Sequence, residues 1–330
     1  MSVCVIGPGA MGCLLAASLA RSLGPGQVTL IDHDPARAER LGERGLRVHG
    51  QEGLLEARPA VSCALPEEAE VAFLCVKASA SAAAAGWLAA GSPDATVAVL
   101  QNGCERPAAI AELLGAPARV VGVLTTEGAT RLGEGEVRHA GRGRTLVGAL
   151  EPASEARARR VVELLSAAGW ASELAEDLRR ASWEKLIVNA AINALSGLLD
   201  VPNGALLESP AAAGLADAAA CEVAALARAS GVSGDWDPAA ARKSWRRVAA
   251  ATATNLSSTV QDLRRGGTTE VPAINGSVAR LARERGIPTP TNDTLARLIQ
   301  AREETRTSAP ADLNVPAVVG AHSSGESTNG

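Results

Sequence analysis

The sequence predicts an α/β protein in which an N-terminal doubly wound sheet domain is followed by an all-α C-terminal domain. Three observations predict it: short β-branched runs alternate with helical patterns, a glycine-rich turn joins the first strand to the first helix, and strand signals vanish after about residue 178. A chain of 330 residues is long enough for two domains. We expect the sheet domain at 1–178, the helical domain at 179–306 and a disordered tail at 307–330, which is rich in Ser, Pro, Gly and Ala.

Composition excludes several classes of function. A formal net charge of −4 gives no electrostatic reason to expect nucleic acid or an anionic membrane as partner. The six cysteines are scattered singly, without a CxxC pair, so neither a metal site nor a disulfide framework is expected. The N-terminus does not resemble a signal peptide, and no run approaches the roughly 18 apolar residues of a membrane span. We therefore expect a soluble, cytoplasmic protein.

The first strand and the turn after it predict a Rossmann-type dinucleotide site. Val3–Ile6 is a β-branched run, and the apolar helix pattern begins just beyond Gly12. In this setting Gly7 permits the tight turn, Gly9 lets a pyrophosphate approach the backbone, and Gly12 lets the helix pack on the strand. Free N–H groups at the helix N-terminus would bind the phosphates. The alternative is a glycine-rich turn without a ligand. The cofactor residues predicted here are Gly7, Gly9, Ala10, Met11 and Gly12.

The second strand, 27–31, ends at Asp32, twenty residues after Gly12. A carboxylate at this position accepts a hydrogen bond from the ribose 2′-OH of NADH and repels the 2′-phosphate of NADPH. Alternatively, Asp32 caps the next helix in competition with Asp34. Arg37 and Arg40 lie in that helix and could reach the ribose. The sequence modestly favours NADH without excluding NADPH.

Further strands place polar residues at one edge of the sheet. The buried run 71–76 ends at Lys77, and the run 95–100 is followed by Gln101 and Asn102. Ligands bind at the C-terminal edge of open parallel sheets, so Lys77 and Asn102 are candidate site residues. Shorter candidate strands lie at 46–48, 60–63 and 119–124, and we expect antiparallel strands within 128–148 to close the domain, followed by a helix at 153–168.

The C-terminal helices are predicted at 182–195, 211–230, 238–263 (one helix or two), 273–285 and 292–304. The first is apolar on almost every face, yet Lys185, Asn189 and Asn193 recur at every fourth position and share one face. A buried ammonium and buried amides need partners. These three side chains could form hydrogen bonds with a neighbouring element, face water, or face a ligand. We favour the interpretation that they face a ligand.

Two further groups belong to this half. Asn255, Ser258 and Asp262 have helical spacing on one face, and Glu270 precedes another helix. Each has an ordinary structural explanation, namely hydrogen bonds between helices and a favourable helix dipole. Together with Lys185, they supply what reduction of a carbonyl requires: a proton donor, a carboxylate to position it, and groups that bind a polar acid.

Over residues 1–304 the chain resembles the ketopantoate reductase family (2-dehydropantoate 2-reductases). The matching segments lie in both halves of the sequence, at 7–12, 76–77, 101–103, 183–186, 189, 193, 202–204, 255–258, 261–262, 269–270 and 274–276. The resemblance implies NAD(P)H-dependent reduction of 2-dehydropantoate to (R)-pantoate, a step toward pantothenate and coenzyme A. Family members are often dimers, so a homodimer is left open.

The resemblance also implies roles for single residues. Lys185 would be the general acid and Glu270 would lie beside it. The residues implied to bind substrate or to line the nicotinamide end are Lys77, Asn102, Asn189, Asn193, Asn255 and Ser258, and Lys77, Asn102 and Glu270 would also contact the cofactor. The chain departs from the family where NADPH-dependent members commonly carry arginine, since it has Asp32 and His33 there. The alternatives are the same chemistry on another 2-oxo acid and a catalytically idle NAD(P) sensor.

Overall fold

The structure is a computed structural model and describes residues 2–308. Its twelve strands are β1 (Val3–Ile6), β2 (Val28–Ile31), β3 (Leu46–Gly50), β4 (Gly53–Ala57), β5 (Ala60–Ser62), β6 (Val71–Leu74), β7 (Thr96–Val99), β8 (Val120–Thr125), β9 (Gly128–Gly133), β10 (Glu136–Gly141), β11 (Arg144–Ala149) and β12 (Ala171–Leu174). The helices of the N-terminal half are α1 (Ala10–Leu23), α2 (Pro35–Arg44), α3 (Ser81–Gly91), α4 (Arg106–Leu114) and α5 (Glu155–Ala167).

The main sheet has eight strands in the order β12-β11-β8-β7-β6-β1-β2-β5. All neighbours are parallel except β8 and β11. On β1, Val3 and Val5 join the apolar cluster that contains α1 and α5, while Cys4 and Ile6 join the cluster that contains α3 and α4. Both faces of the sheet are therefore covered, as expected of parallel strands. This confirms the predicted doubly wound fold.

A second sheet was not predicted. It has the order β4-β3-β10-β9 and packs on α1 through Leu46, Val48 and Val137. The antiparallel strands expected within 128–148 are present, but β9 and β10 pair with each other in this second sheet, and only β11 joins the main sheet, where it pairs with β8. The parallel pairing of β3 with β10 joins segments almost ninety residues apart, and no local sequence pattern predicts such a pairing.

The C-terminal half is helical: α6 (Leu178–Leu199), α7 (Ala205–Glu208), α8 (Pro210–Ala229), α9 (Pro238–Ala251), α10 (Ser258–Arg264), α11 (Asn275–Glu284) and α12 (Pro290–Ser308). The alternative of two helices within 238–263 is confirmed, since α9 ends at Ala251 and α10 begins at Ser258. Of the tail predicted at 307–330, only the last two residues of α12 are described.

The core of the helical half centres on α6. This helix contributes large apolar side chains, among them Trp183, Ile187 and Leu195, and α8 supplies a row of buried alanines. Small side chains let two helix backbones approach closely, which explains why 11 of the 20 residues of α8 are alanine. By length and composition α8 alone among the described helices could cross a membrane, but half of that window is buried, as is usual for a core helix.

Candidate active site

The glycine turn has the geometry that a dinucleotide loop requires. Gly7 has φ of 103°, a conformation that side-chain-bearing residues rarely adopt. A Cβ on Gly12 would lie 1.9 Å from the carbonyl oxygen of Gly7, so only glycine fits there. A Cβ on Gly9 would meet nothing within 4 Å, which leaves open space in front of α1. The first N–H groups of α1 have no partner within the helix, and its first turn holds no acidic residue, so the loop fits a pyrophosphate.

At the end of β2, Asp32 is fully buried and forms two hydrogen bonds with the guanidinium of Arg37. It also accepts the backbone N–H of Asp34 at 3.1 Å. Burial would raise the pKa of Asp32, but the bonds from Arg37 and Asp34 outweigh it and hold the pKa below its ordinary value. Asp34, not Asp32, caps α2, because its side chain accepts the N–H of Arg37. Asp32 is therefore an ion-paired carboxylate.

Lys77 and Asn102 lie at the C-terminal edge of the main sheet, as predicted. The amide of Gln101 joins the two strand ends, since it donates to the carbonyls of Val76 and Lys77 at 3.0 and 3.3 Å. A Cβ on Gly7 would come within 2.7 Å of Val76, so the nucleotide loop adjoins the same edge. The predicted cofactor residues of the glycine turn and the predicted substrate residues Lys77 and Asn102 therefore lie next to each other at this edge.

Lys185 projects from α6 toward the sheet, and its Nζ donates to the carbonyl oxygen of Thr125 at 2.8 Å. Thr125 ends β8, so this bond connects the two halves of the molecule. Burial lowers the pKa of Lys185 from 10.5 to about 8, and the charge of Glu270 opposes the shift. A lysine with such a pKa can hold and release a proton near neutrality.

Glu270 lies in the segment between α10 and α11, a few residues before α11 begins. Its Oε2 accepts the side-chain amide of Asn102 at 2.6 Å. Burial raises the pKa of Glu270, while the bond from Asn102 and the charge of Lys77 lower it in part. Glu270 thus interacts electrostatically with both lysines, but within residues 2–308 no direct ion pair joins it to Lys185. The structure brings together Lys77, Asn102, Lys185 and Glu270.

Asn189 and Asn193 continue the stripe along α6 from Lys185. Asn189 is partly buried and Asn193 is 8% exposed. The hydrogen bonds of the described chain include none from either side-chain amide. Because buried amides normally have partners, these two are available to a ligand.

The expectation that Asn255, Ser258 and Asp262 share one helical face was wrong for Asn255, which lies in the loop between α9 and α10. The helix is interrupted because Ser257 caps α10. Its hydroxyl also bonds that of Ser196 on α6 at 2.8 Å, which fixes the start of α10 against the far end of the stripe. Asn255 and Ser258 are exposed there.

Lys77 has a partner that the sequence did not indicate. Its Nζ bonds Oδ2 of Asp262 at 2.8 Å and also the carbonyl oxygen of Thr268. Asp262 belonged to the predicted polar stripe but was not assigned to the site. Together with the bonds of Asn102 and Lys185, this bridge fixes the helical half against the sheet edge.

Two contributors were missed because they act through the backbone. The carbonyl oxygens of Thr125 and Thr268 hold the two lysines, and no side-chain pattern marks a carbonyl. Throughout residues 2–308, no group of three or more His, Cys, Asp or Glu side chains could hold a metal ion.

Comparison with known proteins identifies the family. Residues 3–152 match the family described as ketopantoate reductase PanE/ApbA, and residues 177–303 match its C-terminal counterpart. The chain belongs to the ketopantoate reductase family. A 2-dehydropantoate 2-reductase of Halobacterium salinarum is 39% identical over 91% of this chain and 98% of its own length, and one of Archaeoglobus fulgidus is 35% identical over 91% and 97%.

Comparison with solved structures supports the same family. A PanE/ApbA family ketopantoate reductase from Ralstonia eutropha has a TM-score of 0.82 at 31% identity, covering 93% of this chain and all of its own. D-mandelate dehydrogenase with NADH and anilino(oxo)acetate has a TM-score of 0.86, but at 23% identity and 93% coverage it shows the fold alone. The chain is an NAD(P)H-dependent oxidoreductase of this family.

Proposed function

We propose that the chain reduces 2-dehydropantoate to (R)-pantoate with NAD(P)H, the reaction named for its relatives from Halobacterium and Archaeoglobus. The observation that carries the proposal is the position of Lys185, an ammonium of lowered pKa that meets the sheet edge beside Glu270. The predicted division into domains at 1–178 and 179–306 belongs to the same proposal, because the reacting groups come from both parts. A cytoplasmic location and a homodimer remain expectations.

The proposed chemistry needs a hydride and a proton. When bound, the reduced nicotinamide supplies the hydride that goes to the keto carbon. Lys185 donates the proton to the keto oxygen, and its charge stabilises the negative charge that develops there. Nζ of Lys185 lies 2.8 Å from the carbonyl oxygen of Thr125 and donates one of its three hydrogens to it, so the other two are free for the substrate.

Glu270 keeps Lys185 charged. Without a nearby carboxylate, burial would lower the lysine pKa further and deplete the acid form. Asn102 positions Glu270 through the 2.6 Å bond. These two residues therefore maintain the proton donor and also line the nicotinamide end.

The polar row along α6 and α10 would bind the substrate's carboxylate and hydroxyl. Asn189 and Asn193 have amides without partners in the described chain, and Ser258 and Asn255 follow at the end of the row. Lys77 adds a positive charge at the sheet edge. Holding both ends of the substrate fixes which face of the ketone receives the hydride.

The deciding experiment measures oxidation of NADH and of NADPH with 2-dehydropantoate and with a panel of other 2-oxo acids. We expect kcat/KM for 2-dehydropantoate to be higher than kcat/KM for every other acid in the panel. Turnover of a different acid in preference would retain the mechanism but contradict the substrate. Nucleotide binding with no oxidation of any acid would contradict the enzyme assignment and support a sensor.

A further inference from the structure

A cleft lies between α1, the second sheet and the turn that joins α5 to β12, and we call it the rear cleft. Its volume is about 190 Å³. One wall is formed by Leu14, Ser18 and Arg21, which share a face of α1 because of their helical spacing. The other walls are the β3–β4 hairpin, the end of β10 and residues 168–170. The second sheet, which the sequence did not predict, therefore creates this cleft.

The rear cleft is separate from the nucleotide loop and from the reacting groups. Arg21 follows Gly9 by twelve residues, which places it about 18 Å from the loop along the helix axis. The cleft lies at the end of β10, whereas Glu134, just before β10, contacts α2 through Arg40. It is lined by none of the residues that meet at the sheet edge, namely Lys77, Asn102, Lys185 and Glu270. A molecule in the rear cleft would therefore not occupy the site of the proposed reaction.

The rear cleft contains one basic side chain without an acidic partner. Among residues 2–308, no carboxylate or carbonyl oxygen accepts a hydrogen bond from the guanidinium of Arg21. The other two basic side chains of the cleft are paired, Arg142 with Glu52 at 2.8 Å and the ring of His139 with Glu127. Arg21 thus leaves a positive charge that an anionic ligand would compensate.

Arg21 lies against the turn that precedes β12. A Cβ on Gly169 would be 3.4 Å from Nη2 of Arg21, so the guanidinium is close to this backbone. The next residue, Trp170, is 4% exposed, and its buried indole N–H has no acceptor within the described part of the chain. Buried N–H groups normally have a partner. This wall therefore combines an unpaired guanidinium with an unused N–H donor.

The remaining walls are largely apolar. Leu14, Val48 and Leu55 contribute aliphatic side chains, and Leu54 of the same hairpin is 46% exposed. In another protein, an apolar cavity of about 150 Å³ holds benzene. The rear cleft can therefore hold a body of the size of one ring together with a carboxylate, and it is smaller than the roughly 300 Å³ at which drug-sized sites begin.

We propose that the rear cleft binds a small monocarboxylate, with the carboxylate on Arg21 and an apolar body of about six carbon atoms against Leu14 and the β3–β4 hairpin. A guanidinium can bind both oxygens of a carboxylate through two parallel hydrogen bonds. The pair of Glu52 with Arg142 holds the β3–β4 turn near the end of β10, so the cleft is already formed when the ligand enters.

The test measures binding of benzoate and hexanoate, with benzamide and hexanamide as the uncharged analogues. Each compound is titrated against the full chain, without substrate or nucleotide, by ligand-observed NMR. We expect at least one of the two acids to bind with a Kd of about 1 mM or lower. Its amide should bind at least about tenfold more weakly, because it lacks the charge that Arg21 recognises. Absence of saturable binding by both acids, or equal affinities of acid and amide, would overturn the inference.

Variants locate the bound acid. Arg21→Gln should weaken its binding at least about tenfold, and Arg21→Lys, which retains the charge but loses the fork, should weaken it less. Arg138→Gln is the matched control, since Arg138 is an exposed residue of β10 whose side chain points away from that of His139. Lys77→Met removes a cation of the sheet edge. Both of these variants should leave the affinity within about twofold of wild type.

An unchanged affinity in Arg21→Gln, or an equal fall in Arg138→Gln, would overturn the role of Arg21. A fall in Lys77→Met without a fall in Arg21→Gln would assign the acid to the sheet edge and would overturn the rear cleft as its site. None of these measurements requires turnover, so their outcome does not depend on which keto acid the protein reduces.

Discussion

The lowered pKa of Lys185 predicts how activity depends on pH. With a pKa of about 8, the ammonium is about 90% protonated at pH 7 and about 10% at pH 9. Since the protonated lysine is the proposed acid, kcat/KM should fall as pH rises through 8, by roughly tenfold between pH 7 and pH 9. An unperturbed lysine, with its pKa of 10.5, would leave this range nearly flat.

The cause of the shift can be tested with one substitution. Glu270 raises the pKa of Lys185 against the effect of burial, so Glu270→Gln should move the alkaline fall to lower pH. Glu184→Gln is the control, because Glu184 precedes Lys185 in α6 but is exposed and pairs with Arg180. The assay is initial-rate nucleotide oxidation from pH 6 to pH 10. A wild-type profile flat to pH 10, or an unmoved fall in Glu270→Gln, would refute the reasoning.

Three further predictions concern other parts of the site. Gly12→Ala should unfold or strongly destabilise the protein in thermal melts, because the new Cβ would lie 1.9 Å from the carbonyl oxygen of Gly7. Gly9→Ala is the matched control for folding: it should melt like wild type but lose nucleotide affinity in titrations. Lys77→Met should change the free energy of unfolding by about 1 kcal/mol or less, since its ion pair is 39% exposed on the lysine side, yet raise KM for the keto acid severalfold. Asn193→Ala should lower kcat/KM by about tenfold with little change in nucleotide affinity; an unaltered kcat/KM would remove Asn193 from the substrate site.

Local patterns predicted the elements that dominate this fold. The run Val3–Ile6, the glycine turn and the apolar helix after it are encoded within twenty residues, and the structure reproduces them. Helical periodicity alone was enough to predict that Lys185, Asn189 and Asn193 lie on one face of a helix. The sheet edge that carries Lys77 and Asn102 followed from the rule that parallel strands present their C-terminal ends together.

The missed features depend on long-range contacts. β4 and β12 are short and half-exposed, so they carry no apolar run that would predict a strand. The pairing of β3 with β10 joins segments that are distant in the sequence, so it forms only when the chain folds. Asp32 was correctly placed at the end of β2, but its ion pair with Arg37 depends on side-chain orientation, which a sequence does not reveal. The interruption between α9 and α10 coincides with the cap formed by Ser257, and serine is a common helix N-cap, so the sequence does carry a local signal for this break.

The most direct test of the account compares two of the chain's three lysines. Lys185→Met and Lys243→Met are assayed for turnover of 2-dehydropantoate and for NADPH and NADH binding, Lys243 being an exposed residue of α9. We predict that Lys185→Met lowers kcat by at least about a hundredfold while still binding nucleotide, and that Lys243→Met matches wild type. Wild-type turnover in Lys185→Met would contradict the central claim that this half-buried lysine supplies the proton.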